Sequence, residues 1–216
     1  MSNKAKRTPH VVKLCGDCPD YVRPEFSEAP PVPEATTPEA TFTPDRTWGI
    51  VATVEKYAGD WTAEQIAAGE AGEPYEVYSE AGNLLTTVGS QRLLDLMIGA
   101  SSAAFTNAAS RLGVGNSATA AAIGNTDLAA AAGAGNRQFK VMDATYPSRS
   151  GSTVTYRATF TTGEANFAWL EWCIDRGTAS GTTVTAPMLN RKVPSGGMGT
   201  KSSGLTWALA VAITIT

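Results

Sequence analysis

The last twelve residues, LTWALAVAITIT (205–216), alternate without a break. Leu205, Trp207, Leu209, Val211, Ile213 and Ile215 fall on one side, and Thr or Ala on the other. A period of two sustained this long predicts a strand with one face on a core. STVTYRATFT (152–161) repeats the pattern, setting Val154, Tyr156, Ala158 and Phe160 against Thr153, Thr155, Arg157 and Thr159. WGIVATVEKYAG, YEVYSEAGN, RLGVGNS and PMLNRKVP predict further strands. Only TTVGSQRLLDLMIGA has a clear helical period, with Leu93, Leu94, Met97 and Ile98 on one face and Gly99 at the end, so one short helix is predicted over about 88–98. DWTAEQIAAGEAG starts like a shorter one with Asp60 as N-cap. NTDLAAAAGAGN reads either as a helical turn capped by Thr126 or Asp127 or as a loop. These elements add up to a mainly β chain, a β-sandwich carrying one helix over 83–216.

Ahead of that domain the pattern disappears. Eight of the twelve prolines lie within residues 1–47, and PEFSEAPPVPEATTPEATFTPD has almost nothing apolar to bury. Proline blocks helix interiors and cannot donate to a ladder, so 1–47 is expected to be an extended Pro/Glu/Thr-rich arm, ordered only against another surface. Residues 48–82 are expected to be a transitional segment.

Composition changes this picture in one respect. Only 17% of residues are charged, and Ala, Gly and Thr fill the gap. That balance suits a β-rich assembly subunit better than a helical enzyme. Residues 1–82 hold 14 acidic and 7 basic side chains, and residues 83–216 hold 6 and 10, so an acidic arm precedes a mildly basic body. Such opposition favours contact between copies. The basic excess is too diffuse to bind nucleic acid. MSNKAKRTPHVVKL lacks the apolar region of a secretory signal, and no run of about 18 apolar residues suggests a membrane span. The expectation is synthesis in a cytoplasm without membrane attachment.

Candidate chemistry is sparse. Cys15 and Cys18 form a CGDC knuckle with the single histidine, His10, five residues upstream. Together they offer three of the four ligands zinc needs, the alternative being a turn with free thiols; no other cofactor is indicated. Two GxGN stretches, 113–116 and 133–136, do not complete a phosphate loop and are expected to be turn glycines with positive φ. With one histidine in the arm, a Ser–His–Asp triad has no base, and the chain is expected not to be an enzyme. The most suggestive stretch is NFAWLEWCIDRG (166–177), where Glu171 lies between Trp169 and Trp172. Strand alternation puts Phe167, Trp169, Glu171 and Cys173 on one face and Ala168, Leu170, Trp172 and Ile174 on the other. Both faces are rich in apolar residues, which predicts a central strand. Trp169, Trp172, Glu171 and Trp207 are then structural core, with Glu171 paired to Arg157 or Arg191.

GNLLTTVGSQRLLDLMIGA, FTNAASRLGVGNS, NTDL, ANFAWLEWCI, MLNRKV and GTKSSGLTWALAV occur in that order over about residues 80–216. The order resembles a group of tailed-bacteriophage virion proteins, which share an N-x-x-T-x-x-G helix entry, an x-G-V-G turn followed by T-x-L, an N-F-x-W-x-E strand and a closing T-W-x-L-x-V strand. The resemblance implies a non-catalytic structural protein of the virion, with a variable N-terminal segment. The leading expectation is a capsid decoration or head-surface subunit anchored through its arm. A tail or fibre-attachment subunit is the alternative, as is a host-surface module stacking glycan on Trp61, Trp169 or Trp172. Expected partners are copies of itself, as a trimer, and the major capsid protein or tail proteins.

Overall fold

The strongest alternation becomes the longest pairing. The computed structural model describes residues 48–184 and 188–215. Along them run β1 (Trp48–Ala58), α1 (Ala63–Ala67), β2 (Glu76–Ala81), β3 (Leu84–Leu85), α2 (Thr87–Met97), β4 (Arg111–Gly115), β5 (Arg137–Val141), β6 (Ser148–Ser150), β7 (Thr153–Phe160), β8 (Glu171–Asp175), β9 (Asn190–Lys192) and β10 (Leu205–Ile215). They form two antiparallel five-stranded sheets, ordered β2-β1-β10-β7-β6 and β3-β9-β8-β4-β5. β10 lies at the centre of the first, paired along its whole length with β1 and over Trp207–Thr214 with β7.

The apolar sides of both sheets meet in one core. Val54, Ala158, Phe160, Leu209 and Val211 come from the first sheet, and Leu112, Val114, Trp172 and Ile174 from the second. At its centre the Trp169 ring lies 4.9 Å from both Phe160 and Trp207, at 70° and 72°, the edge-to-face geometry that aromatic quadrupoles favour. The protein is a mainly β chain built as a β-sandwich. Residues 48–82, expected to be transitional, supply β1 and β2 of the first sheet. The Pro-rich arm, 1–47, lies outside the described residues.

Several local expectations change. Thr62, not Asp60, caps α1: its hydroxyl accepts from the Gln65 amide, and Gln65 returns a bond to the Thr62 amide. Asp60 instead accepts from the Thr162 amide and hydroxyl. Segment 126–136 contains no helix. The strand predicted from Phe167 begins only at Glu171, because 167–170 is bound to the loop around Gly199. Trp169 N–H donates to Gly199 O and Met198 N–H donates to Trp169 O, each at 2.8 Å. Without regular alternation there, Trp169 and Trp172 enter the same core instead of opposite faces.

The helix α2 forms as expected but does not bury its apolar face. Leu93 alone of the four packs against the core, while Leu94, Met97 and Ile98 are exposed. The cause lies at the other end of the helix. The Thr86 hydroxyl accepts from the Gly89 amide and donates to Met188 O, and Gly89 rests on the Leu189 backbone, where a Cβ would come 2.0 Å from the carbonyl oxygen. The first turn is thus the seat, and the later turns face outward. Gly89→Ala should lose stability even though alanine is the better helix former by ~1 kcal/mol. Backbone must move to admit the methyl, and such overpacking costs about 1–3 kcal/mol. A thermal melt at or above that of the wild type would show that α2 is not seated on Leu189.

Candidate functional site

The outward face of the second sheet collects most of the residues with chemical potential. Antiparallel register sets Arg111, Gly113 and Gly115 of β4 opposite Asp175, Cys173 and Glu171 of β8. It sets Cys173 opposite Arg191 of β9, and Gly113 and Gly115 opposite Phe139 and Arg137 of β5. A sheet face of this composition is normally solvated, yet these side chains are buried. Loops 116–136 and 176–184 are bonded down over them.

Glu171 is the hub. Its carboxylate accepts from the Ala129 amide at 3.0 Å, the Ala130 amide at 2.7 Å, Arg191 Nε at 2.7 Å and Arg191 Nη2 at 2.6 Å. Of the two partners expected, Arg191 is the one found; Arg157 pairs with Glu55 and Asp143 on the other sheet. Arg191 also donates to Thr119 O, Ala120 O and Asn125 Oδ1, which occupies all five of its N–H groups. A second lock lies beside it. Arg111 binds Asp175 through Nε, at 3.0 Å, and Nη2, and reaches Ala179 O and Thr183 O in the covering loop. Arg137 holds Asp127 and Thr182 O, and the Arg111 and Arg137 guanidiniums lie 4.7 and 5.8 Å from the Phe139 ring centre.

The glycines make this layer fit. A Cβ on Gly113 would stand 2.7 Å from Cys173 Sγ and from the Phe139 ring, and one on Gly115 would stand 2.5 Å from Glu171 Oε1. Both lie in β4 without positive φ, so the expectation of turn glycines fails here and space is the reason for their presence. Gly133, in the other GxGN stretch, does have positive φ.

These groups are bonded to one another and to the covering loops. Glu171 has its oxygens occupied on both sides. Burial pushes the Asp175 carboxyl up, and Arg111 pulls it back. Burial pushes the Cys173 thiol well up, reinforced by the Asp175 and Glu171 carboxylates, so little thiolate forms. Cys173 is therefore expected to resist iodoacetamide in the native protein and to react only after denaturation, as peptide mass mapping will read. Modification at the native rate of an exposed thiol would mean that the covering loops open.

A polar cleft of about 550 Å³ lies on the outside of the first sheet, between Glu55, Tyr57, Glu64, Asp143, Tyr146 and Arg157. Its charges also serve one another. Asp143 accepts from the Thr159 amide and hydroxyl, each at 2.8 Å, and from Arg157 at 3.2 Å, closing the side of β7 beyond Thr155, where its pairing with β6 ends. Burial raises the Asp143 carboxyl, with Thr159 and Arg157 opposing. An apolar cleft of about 390 Å³ opens between the sheets at Trp48, Ile50 and Leu85.

Cys15, Cys18 and His10, the candidate zinc ligands, lie outside the described residues. Among the described residues no three His, Cys, Asp or Glu side chains gather as a metal site. Arg111, Asp127, Arg137 and Asp175 were missed by sequence reading as members of the buried layer. Their signal was a charge at the end of an apolar strand, Arg111 opening β4 and Asp175 closing β8. No family model, curated protein or solved structure matches the chain.

Proposed function

We propose that this chain is a non-enzymatic structural subunit of a tailed-phage virion, a capsid decoration or head-surface protein held through its N-terminal arm. The observation that carries the reading is the use of the buried charged groups on the second sheet. Glu171, Asp175, Arg111 and Arg191 are spent on fastening loops to a sheet. A building block repeated over a particle gains from such rigidity, because each copy must present the same surface and modest contacts add up by avidity. The ordered motifs over about 80–216 and the Pro-rich arm supply the link to the particle. The expected partners remain other copies and the major capsid protein, with a tail or fibre-attachment position as the alternative address.

The host-surface reading is weakened at two of its three residues. Trp169 and Trp172 are buried in the core and cannot stack on a sugar; Trp61 is only partly covered. Its indole N–H donates to Ala58 O.

Negative-stain electron microscopy decides between addresses. Full-length protein and a form lacking residues 1–45 are mixed with empty heads of the same phage. Full-length protein is expected to coat the heads and the truncated form to leave them bare. Bare heads with both forms would overturn the head-surface role and move the subunit to the tail or the host surface.

A further inference from the structure

Among the described residues, the outward side of α2 is left exposed. Thr87, Gln91, Leu94 and Ile98 follow one another at helical spacing along an exposed stripe, with Met97 beside them. Leu94 is 60% exposed, Met97 80% and Ile98 80%. Ile123, 64% exposed, continues the stripe at its start, where the Thr87 amide donates to the Ile123 carbonyl at 2.8 Å. Arg92 and Asp95 fall on the flank, and Arg92 is tied to Ser101 at 2.6 Å. The chain around the stripe is unusual in a second way. Residues 96–110 and 112–126 contain no Asp, Glu, Lys, Arg or His. Charge-depleted surface with exposed Met, Leu and Ile is the composition of an interface core rather than of solvated surface.

We propose that this stripe is the seat of a second copy of the same chain, α2 packing against α2. The stripe itself carries no charge, and its flank holds a single arginine, tied to Ser101, with Asp95 of opposite sign on the same helix. That is no cluster for a charged partner or a lipid surface, so its best complement is a surface equally neutral and apolar. Its own counterpart is one. Four large side chains at these exposures supply on the order of 300 Å² of apolar surface. A stable dimer needs about 800 Å² from each copy, so the neutral loops 99–106 and 117–124 must join the contact. The outward rotation of α2 follows from the seating of Gly89 and gives the exposed face a use. This inference goes beyond the particle reading and does not depend on it, since it concerns the protein alone in solution.

Sedimentation velocity over a range of concentrations tests it, with full-length wild type, Met97→Asp and Val77→Asp. Val77 is 55% exposed on β2, away from α2, and serves as the control. Wild type and Val77→Asp are expected to sediment as the same oligomer. Met97→Asp should raise the dissociation constant at least about 100-fold, since each copy carries the change into the contact. Its melting temperature at low concentration should match that of the monomeric wild type. A wild type that stays monomeric, a Met97→Asp oligomer of undiminished strength, or equal dissociation of both variants would overturn the proposal. A monomeric wild type that coats heads while Met97→Asp does not would assign the stripe to another particle protein instead. Failure of the head-surface role is read separately, from the bare heads.

Discussion

Glu171→Ala should cost about 3–5 kcal/mol of folding stability, the range for removing one partner of a buried ion pair. The deletion leaves the Arg191 guanidinium without its counter-charge in a site closed to water. It also strips the Ala129 and Ala130 amides of their acceptor, and the Ala130 amide, the buried one of the two, costs about 1–3 kcal/mol when orphaned. At 2–4 °C per kcal/mol for a domain of this size, the melting temperature should fall by about 10 °C. Urea unfolding checks the size, with the midpoint moving and the slope unchanged. A loss below about 1 kcal/mol would mean that loop 116–136 is not held by this carboxylate. Glu171→Leu with Arg191→Met should not restore stability, although apolar replacement of a buried pair often does. Arg191 also serves the Thr119 and Ala120 carbonyls, and the double change abandons both.

Trp169→Ala should be about as costly, 3–5 kcal/mol, through the cavity it opens between the sheets. The indole touches Phe160 on one side and Trp207 on the other, and its N–H donates to Ala165 O at 3.0 Å. Because the segment 167–170 is bound to loop 198–201 on one side and to Gly115 at the end of β4 on the other, the walls of that cavity have little freedom to collapse. Near-ultraviolet circular dichroism should lose the coupled tryptophan signal, and denaturant melts should give the energy. Trp48→Ala is the comparison, since Trp48 is 44% exposed at the start of β1 and should change stability by less than about 1 kcal/mol. Equal losses from the two substitutions would remove Trp169 from the centre of the core.

The difference between those two tryptophans shows what the sequence made legible. β10 and β7 could be read because a strand covered on one side writes its burial as alternation, and Trp207 fell in that register. The pairing of Glu171 with a neighbouring arginine followed from an acid amid aromatics. Trp169 was recognised as core, but its direction was not, since the hydrogen bonds that interrupt the strand come from Met198 and Gly199, about thirty residues later. β1 was underestimated for a related reason: its place beside β10 joins opposite ends of the domain, and no local pattern records that. The reason for Gly113 and Gly115 is visible only where Phe139, Cys173 and Glu171 converge. The α2 stripe reads the same whether it faces its own sheet, another molecule or water. The sequence therefore revealed the helix and not its orientation.

The fastening of the covering loops has a consequence for how this protein can change. Arg191, Arg111 and Arg137 grip carbonyl oxygens of residues 119, 120, 179, 182 and 183, and Glu171 grips the amides of 129 and 130. Nearly every residue type carries those groups, so most of the anchorage is indifferent to the side chains displayed above it. Random libraries built at 117–123 and 178–183 should keep the fold while rewriting the outer surface, the arrangement a display scaffold requires. A lineage can vary what this face shows to its surroundings while the arginines beneath stay the same.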